Sequence, residues 1–142
     1  MRFDADLAAY VFLTLLALMA VADRADPPAP KGQGCRVGYV HDGDSLELIC
    51  GATRETARLL DIDTPELAGR CPAEVAAAQA AKRALTALVK DAAVVEVRIE
   101  GRDRYRRPLV RLLLDGRDAA AAMIEAGQGR AYDDGRRAGW CG

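Results

Sequence analysis

The 142-residue sequence is poor in histidine, lysine and aromatic residues, and these shortages exclude several classes of protein. His41 is the single histidine, which rules out a metal site built from several histidines and argues against a Ser-His or Cys-His hydrolase. The formal net charge of −1 argues against binding of nucleic acid through bulk positive charge. Three of the 20 basic residues are lysines, so 17 are arginines. Arginine offers a planar fork of donors for oxyanions, although a high arginine content also follows from genome composition.

Long hydrophobic runs are also missing, since a membrane-spanning helix needs about 20 apolar residues. The longest uncharged run, residues 7–22, has 16 residues and ends in Ala-Val-Ala at 20–22, which is typical of a signal peptide cut before Asp23. The mixed charge of residues 2–6 is atypical of such a leader. We therefore expect residues 1–22 to be a signal peptide of a periplasmic or secreted protein, or alternatively a retained N-terminal membrane anchor.

A stiff linker rich in proline and glycine, residues 23–34, follows the leader, and the folded domain is expected at 35–142. Cysteine is scarce, and no two cysteines have the CxxC spacing of a structural zinc site. The four are Cys35, Cys50, Cys71 and Cys141. Export favours disulfide bonds, and four cysteines allow three pairings, among which the count alone does not choose.

A β-hairpin is predicted where two short β-prone runs, 36–40 and 45–50, flank Asp42-Gly43, a signal for a two-residue turn. The cross-strand pairs in that register are Val37 with Leu48, Tyr39 with Leu46, and Cys35 with Cys50. One face of the hairpin is then apolar. The cysteines would fall on the wider, hydrogen-bonded type of pair, so a bulge or a register slip would favour their disulfide. Cys71 and Cys141 would form the complementary bond.

Hydrophobic periodicity predicts the rest of the fold. The further elements are a third strand at 53–62, a helix at 71–90, a fourth strand at 95–100, a fifth strand at 110–114 and a second helix at 117–126. The first helix has an apolar stripe of Val75, Ala78, Ala81, Leu85 and Leu88. Residues 128–142 lack periodicity. A mainly β, α+β chain of this order fits a five-stranded OB-fold barrel with a helix between strands 3 and 4 and a C-terminal helix. An open α+β sheet is the alternative.

Polar side chains concentrate at the ends of the predicted strands, in the hairpin turn, at 61–66 and at 102–107. Each group alone has an ordinary explanation as a turn, a strand end or a solvated connector. Together they suit phosphodiester hydrolysis. Carboxylates and a carbonyl are the hard ligands of Ca²⁺ or Mg²⁺, a further carboxylate can orient a water, and arginines can bind a phosphate whose charge rises during attack.

Four motifs resemble those of the staphylococcal nuclease (thermonuclease) family in its exported bacterial branch. They are VHDGDS at 40–45, RLLDIDTPE at 58–66, DRYRR at 103–107 and AYDDGRRAGWC at 131–141. The resemblance implies an OB-fold nuclease that cleaves DNA, RNA or both with one Ca²⁺ ion. It also implies a monomer without an obligate protein partner, tethered to a membrane only if the leader is retained.

The resemblance assigns a metal site and a water-activating group. Asp44 and Asp63 match the two metal-ligand aspartates, and Thr64 would offer its backbone carbonyl. Glu66 matches the glutamate that acts as general base or positions the attacking water.

The resemblance also assigns the substrate contacts. Arg58 and Arg107 match the two arginines that clamp the phosphate. Arg104 and Tyr105 match positions that contact the nucleotide near the cleaved phosphate. Tyr132 is the sole candidate for a pair of tyrosines in a later loop of the family, which leaves base stacking there open.

The sequence departs from the family in two other places. Ser45 replaces a frequent threonine, which is a mild change. Arg106 stands where the family usually has glycine, so a positive φ there would strain Arg106 and displace Arg107.

Two other classes of function compete with a nuclease. One is a catalytically weak OB-fold module that binds nucleic acid or protein, although degenerate members usually lose a site residue and none is lost here. The other is a disulfide-stabilised envelope protein with a structural role, for which the carboxylates and arginines would be coincidental surface charge.

Overall fold

A computed structural model describes residues 34–133, 135 and 137–141, together with residue 14. The residues from 34 onwards belong to one compact unit, Gly32–Gly142. The predicted leader at 1–22 and linker at 23–34 lie outside the described residues apart from Thr14 and Gly34, so these boundaries stay predictions. Among the described residues, no helix combines the length and apolar character needed to cross a bilayer.

Ten regular elements span the described domain. In chain order they are β1 Cys35–Val40, β2 Ser45–Cys50, β3 Thr53–Leu59, β4 Ile62–Asp63, α1 Pro72–Asp91, β5 Val95–Arg102, β6 Pro108–Leu114, β7 Arg117–Asp118, α2 Ala119–Glu125 and β8 Arg130–Ala131.

The five long strands form one curled sheet in the order β1-β2-β3-β6-β5, with β7 added at β6. The β3–β6 pairing is parallel and the others are antiparallel. The edge strands β1 and β5 contact each other, so the sheet closes into a half-barrel. The two short strands β4 and β8 pair with each other in a separate two-stranded sheet. The architecture is a mixed α+β, OB-fold-like domain, which confirms the predicted fold class.

The core lies between the curled sheet and the two helices. In β6 the side chains alternate between buried and half-buried positions, as a strand with one face on a core requires. In the predicted stripe of α1, Ala78, Ala81 and Leu85 are buried, while Val75 and Leu88 are half-buried. The small alanines matter for function, because they let the loop after β1 approach the helix closely.

The β1–β2 connection is a four-residue loop, and the predicted two-residue turn at Asp42-Gly43 is wrong. The Asp42 carboxylate closes this loop, since its Oδ1 accepts hydrogen bonds from Asp44 N (3.0 Å), Ser45 N (2.7 Å) and Ser45 Oγ (2.5 Å).

The register of the hairpin is irregular in β1. A bulge between Val37 and Val40 places Val40 opposite Leu46. The predicted Tyr39–Leu46 pair is therefore wrong, and Tyr39 is exposed.

Both predicted disulfides are present, Cys35–Cys50 and Cys71–Cys141. The Cα atoms of Cys35 and Cys50 are 4.2 Å apart, the spacing of the narrower type of antiparallel pair. The irregular hairpin thus removes the expected objection to this bond. Two disulfides indicate that the protein belongs in an oxidising, non-cytoplasmic compartment.

Several element boundaries differ from the prediction; β1 begins one residue earlier, β5 continues to Arg102 and β6 begins at Pro108. The third strand does not continue to residue 62, because Asp61 adopts φ +63° and separates β3 from β4. The second helix begins at Ala119, because the preceding two residues pair with β6 as β7 and Asp118 caps the helix by accepting a bond from Ala121 N. Helix α1 begins at Pro72 rather than Cys71, its N-cap, and extends to Asp91.

Candidate active site

A tightly packed glycine brings the two predicted metal-ligand segments together. A Cβ at Gly43 would lie 2.7 Å from the Cβ of Ala81 on α1 and 2.9 Å from the side chain of Thr64. Only glycine allows this approach. The next residue, Asp44, is buried, as are Asp63 at the end of β4 and Thr64 directly after it.

Arg58, near the end of β3, joins the two buried aspartates. Its Nη2 lies 3.3 Å from Asp44 Oδ2 and 4.0 Å from Asp63 Oδ1. The same nitrogen donates to the backbone carbonyl of Ile62 at 3.4 Å. Because one guanidinium nitrogen lies near both carboxylates, the predicted ligands Asp44 and Asp63 belong to one acidic cluster.

The surroundings of Asp44 disfavour its negative charge. Burial raises the pKa of Asp44 to about 7; Arg58 lowers this pKa, while Asp42 and Glu66 raise it. The buried Asp63 Oδ1 accepts no hydrogen bond of good geometry from the described residues. A buried carboxylate oxygen without a hydrogen-bond donor, next to a second buried carboxylate, suits a hard divalent cation, so the donor set fits Ca²⁺.

Two residues of the C-terminal segment also reach the cluster, and the sequence analysis assigned a role to neither. Arg137 Nε lies 3.1 Å from Asp63 Oδ1, and Arg137 Nη1 donates to Glu66 Oε1 at 3.1 Å. Trp140 Nε1 donates to Asp63 Oδ2 at 3.3 Å. The predicted disulfide between Cys71 and Cys141 could have located these two residues. This bond brings the C-terminal segment back to Cys71, which lies five residues after Glu66.

A second group of potential ligands does not form a metal site. Within the described residues, Cys71, Glu74 and Cys141 are the group that brings three potential ligand atoms within 4.8 Å of one another. Both cysteines are in a disulfide, so neither is available as a thiolate ligand.

The predicted phosphate-binding residues face a common cleft of about 660 Å³ beside the acidic cluster. Its size suits a nucleotide-sized ligand. The predicted site residues that line it are Arg58, Glu66, Arg104, Tyr105, Arg107 and Tyr132. Arg137 lines the cleft as well. The structure therefore brings the predicted catalytic residues Arg58, Glu66 and Arg107 to one concave surface.

The loop that carries Arg107 contains a strained residue, Arg106, at the position where the family usually has glycine. Arg106 has φ +68°, a conformation that favours glycine. A turn from Asp103 to Arg106 forms around it, with Arg106 N bonded to Asp103 O at 2.8 Å. Arg107 nevertheless lines the cleft, so the expected displacement of this residue from the site is not seen.

Aromatic side chains in the cleft stack against arginines. The guanidinium carbon of Arg104 lies 4.8 Å from the centre of the exposed Tyr105 ring. Tyr132 is approached by Arg58 at 5.6 Å and by Arg137 at 5.4 Å. Each ring also stands beside one arginine expected to hold the phosphate, Tyr132 beside Arg58 and Tyr105 beside Arg107 at 5.8 Å.

Comparison with known families gives one match. The sequence model of the family described as staphylococcal nuclease homologue matches residues 56–138. The matched region includes Arg58, Asp63, Glu66 and Arg107, and begins after the loop that carries Asp44. No curated protein matches the chain.

Proposed function

Because the chain belongs to the staphylococcal nuclease homologue family, we propose that it is an exported, Ca²⁺-dependent endonuclease that hydrolyses phosphodiester bonds of DNA, RNA or both. The observation that carries this proposal is the position of Arg58. It contacts the two buried aspartates and also lines the cleft that contains Glu66 and Arg107. The cation site and the phosphate site therefore adjoin.

The arginines bind the scissile phosphate in the proposed mechanism. Arg58 and Arg107 donate charge-assisted hydrogen bonds to its oxygens, and these bonds strengthen as negative charge rises during attack. In the ground state both guanidinium groups already have carboxylate partners, Asp44 for Arg58 and Asp103 for Arg107, which limits their motion. Preorganised donors of this kind lower the barrier because they need little reorientation during the reaction.

Glu66 acts on the attacking water. Its side chain is more than half exposed and lines the cleft, so water has access to it. A carboxylate there can accept the proton of the water or orient it towards phosphorus. Asp44, Asp63 and the Thr64 carbonyl would hold Ca²⁺, which when bound stabilises negative charge on the phosphate.

The remaining cleft residues would hold the nucleotide. Tyr105 and Tyr132 offer ring faces for base or sugar contacts, and Arg104 adds positive charge beside Tyr105. Such contacts depend little on the nucleotide sequence, which suits an enzyme that degrades varied substrates. The proposed enzyme acts as a monomer and needs no protein partner.

The test is cleavage of supercoiled plasmid, linear DNA and RNA by the purified, disulfide-bonded protein, with Ca²⁺ or with EGTA. We expect nicking and internal cleavage with Ca²⁺ and none with EGTA. Equal cleavage in EGTA would overturn the metal dependence. Tight binding of single strands without any cleavage would instead show a non-catalytic nucleic-acid-binding module.

A further inference from the structure

The C-terminal segment 137–141, here called the tail, is fastened beside the acidic cluster at several points. Cys141 is bonded to Cys71 at the start of α1. The guanidinium carbon of Arg130 lies 3.8 Å from the centre of the Trp140 ring, and Arg130 Nη1 donates to the carbonyl of Gly139 at 3.0 Å. The tail is therefore held independently of the contacts that Arg137 makes.

Arg137 uses this position to bridge two carboxylates of the proposed active site. Its Nε and Nη1 each lie 3.1 Å from a carboxylate oxygen, one of Asp63 and one of Glu66. The Asp63 side chain is almost wholly buried, whereas about a third of the Arg137 side chain is exposed. The guanidinium thus supplies positive charge to one carboxylate that water reaches poorly, Asp63, and to one that is exposed, Glu66.

A divalent cation and this guanidinium compete for the same oxygen. Ca²⁺ binds carboxylate oxygens at about 2.3–2.6 Å, so a cationic nitrogen 3.1 Å from the same atom would stand close to the ion in a poorly hydrated site, and the two positive charges would repel each other. Resting on the proposed function, we infer that Arg137 is the counter-ion of Asp63 when metal is absent, as Arg58 is of Asp44, and that Ca²⁺ binding displaces the Arg137 guanidinium from Asp63.

The tail sets the strength of this competition. Because Cys141 is covalently bound to Cys71, Arg137 is held near Asp63 at a high effective concentration. The Tyr132 ring, 5.4 Å from the guanidinium carbon, lines the cleft that takes the phosphate and offers the displaced group a surface to contact. Arg137 therefore acts as a positioning residue that weakens cation binding.

The experiment is a calorimetric titration of the full, disulfide-bonded protein with Ca²⁺ alone, repeated by following emission from Trp140, the single tryptophan. Arg137→Gln is expected to bind Ca²⁺ about tenfold more tightly than the parent protein, the effect of removing one charge-assisted contact. Arg137→Lys keeps the charge and should fall between the two. Arg117→Gln removes an equal charge from an exposed pair with Glu125 and should match the parent.

Each outcome decides the inference. Tighter binding by Arg137→Gln, with Arg117→Gln unchanged, supports it. Equal or weaker binding by Arg137→Gln overturns it, and if the parent still cleaves DNA with Ca²⁺, the proposed function stands. If no variant binds Ca²⁺ at millimolar concentration, both this inference and the proposed metal dependence fall.

Discussion

The Asp103 carboxylate holds Arg107 by its backbone and by its side chain. Asp103 Oδ1 accepts from Arg107 N at 2.9 Å, and Oδ2 accepts from Arg107 Nε at 2.7 Å. Oδ1 also accepts from Tyr105 N at 2.9 Å. The Asp103 carboxylate thus fixes both the backbone turn of this loop and the orientation of the Arg107 side chain in the cleft.

Replacing Asp103 by asparagine should lower kcat about tenfold, because the neutral amide loses the charge-assisted bond that orients Arg107 while its size is unchanged. Steady-state cleavage of a defined oligonucleotide measures this. Glu96→Gln is the matched control, since Glu96 pairs with Arg98 on an exposed part of β5. A parental rate for Asp103→Asn would show that Arg107 needs no such support.

Glu66→Gln and Arg107→Ala should each reduce the cleavage rate by about two orders of magnitude or more, as expected for loss of a general base or of a charge-stabilising donor. Glu125→Gln is the control for Glu66, because Glu125, at the end of α2, is exposed and pairs with Arg117 of β7. Thermal unfolding of each variant checks the fold. Unchanged rates in well-folded variants would mean that the catalytic groups lie elsewhere.

Arg106→Gly should raise the free energy of unfolding by about 1 kcal/mol, because glycine adopts the positive φ at this position without the strain of a side chain. Urea denaturation gives the difference. The comparison is Arg104→Gly in the same loop, where φ is not positive and the change should destabilise. Equal losses in both variants would contradict strain at Arg106.

Metal-free protein should lose stability as pH rises from about 4 to 7. Asp44 has a pKa of about 7 when folded and about 3.9 when unfolded, so in this range the folded state keeps a proton that the unfolded state releases. The full stabilisation is present below pH 4 and is gone above pH 7. Urea denaturation in EGTA at several pH values measures the slope.

Asp44→Asn should remove most of this slope and be more stable than the parent at pH 8 in EGTA, since the amide never ionises. Asp91→Asn is the control, because Asp91 is exposed at the end of α1 and should leave the slope intact. An Asp44→Asn protein with the parental slope would assign the pH dependence to another group.

Loss of either disulfide should destabilise the protein, but only one should alter cation binding. In a chain-entropy estimate, the bond spanning 15 residues contributes about 3 kcal/mol and the bond spanning 70 residues about 4 kcal/mol. Removing Cys71–Cys141 by double serine substitution should also tighten Ca²⁺ binding, because the tail is released. The Cys35–Cys50 double variant should bind Ca²⁺ as the parent does. Equal changes in Ca²⁺ affinity in the two double variants would contradict a role for the tail.

The parts of this protein that the sequence predicted are those encoded over short stretches. Alternation in β5 and β6, the small-residue face of α1 and the motif around Glu66 all depend on neighbours in sequence. The Cys35–Cys50 bond was predicted from the cross-strand pairing of the hairpin, and Cys71–Cys141 only as the pair that remained. The grouping of Arg58, Glu66 and Arg107 in one cleft then followed from the resemblance to a known family. The roles proposed for these residues remain predictions.

The parts that were missed depend on side-chain bonds or on distant contacts. Asp-Gly predicted a tight turn, but the Asp42 carboxylate closes a longer loop by binding Asp44 and Ser45. Arg137 lies in a segment without periodicity, and a covalent link between residues 70 positions apart places it in the site. Neither effect leaves a repeating pattern in the chain.

The backbone kink at Asp61 restricts the number of residues between β3 and β4 more than it restricts their identity. It lets one stretch of chain pass from the main sheet to the small β4–β8 pair within two residues, while its carbonyl accepts a bond from Tyr132 N. Side chains along a strand alternate between faces, so deleting or inserting one residue between Leu59 and Ile62 would turn Asp63 away from Arg58. Substitutions between β3 and β4 should therefore be tolerated better than insertions or deletions there.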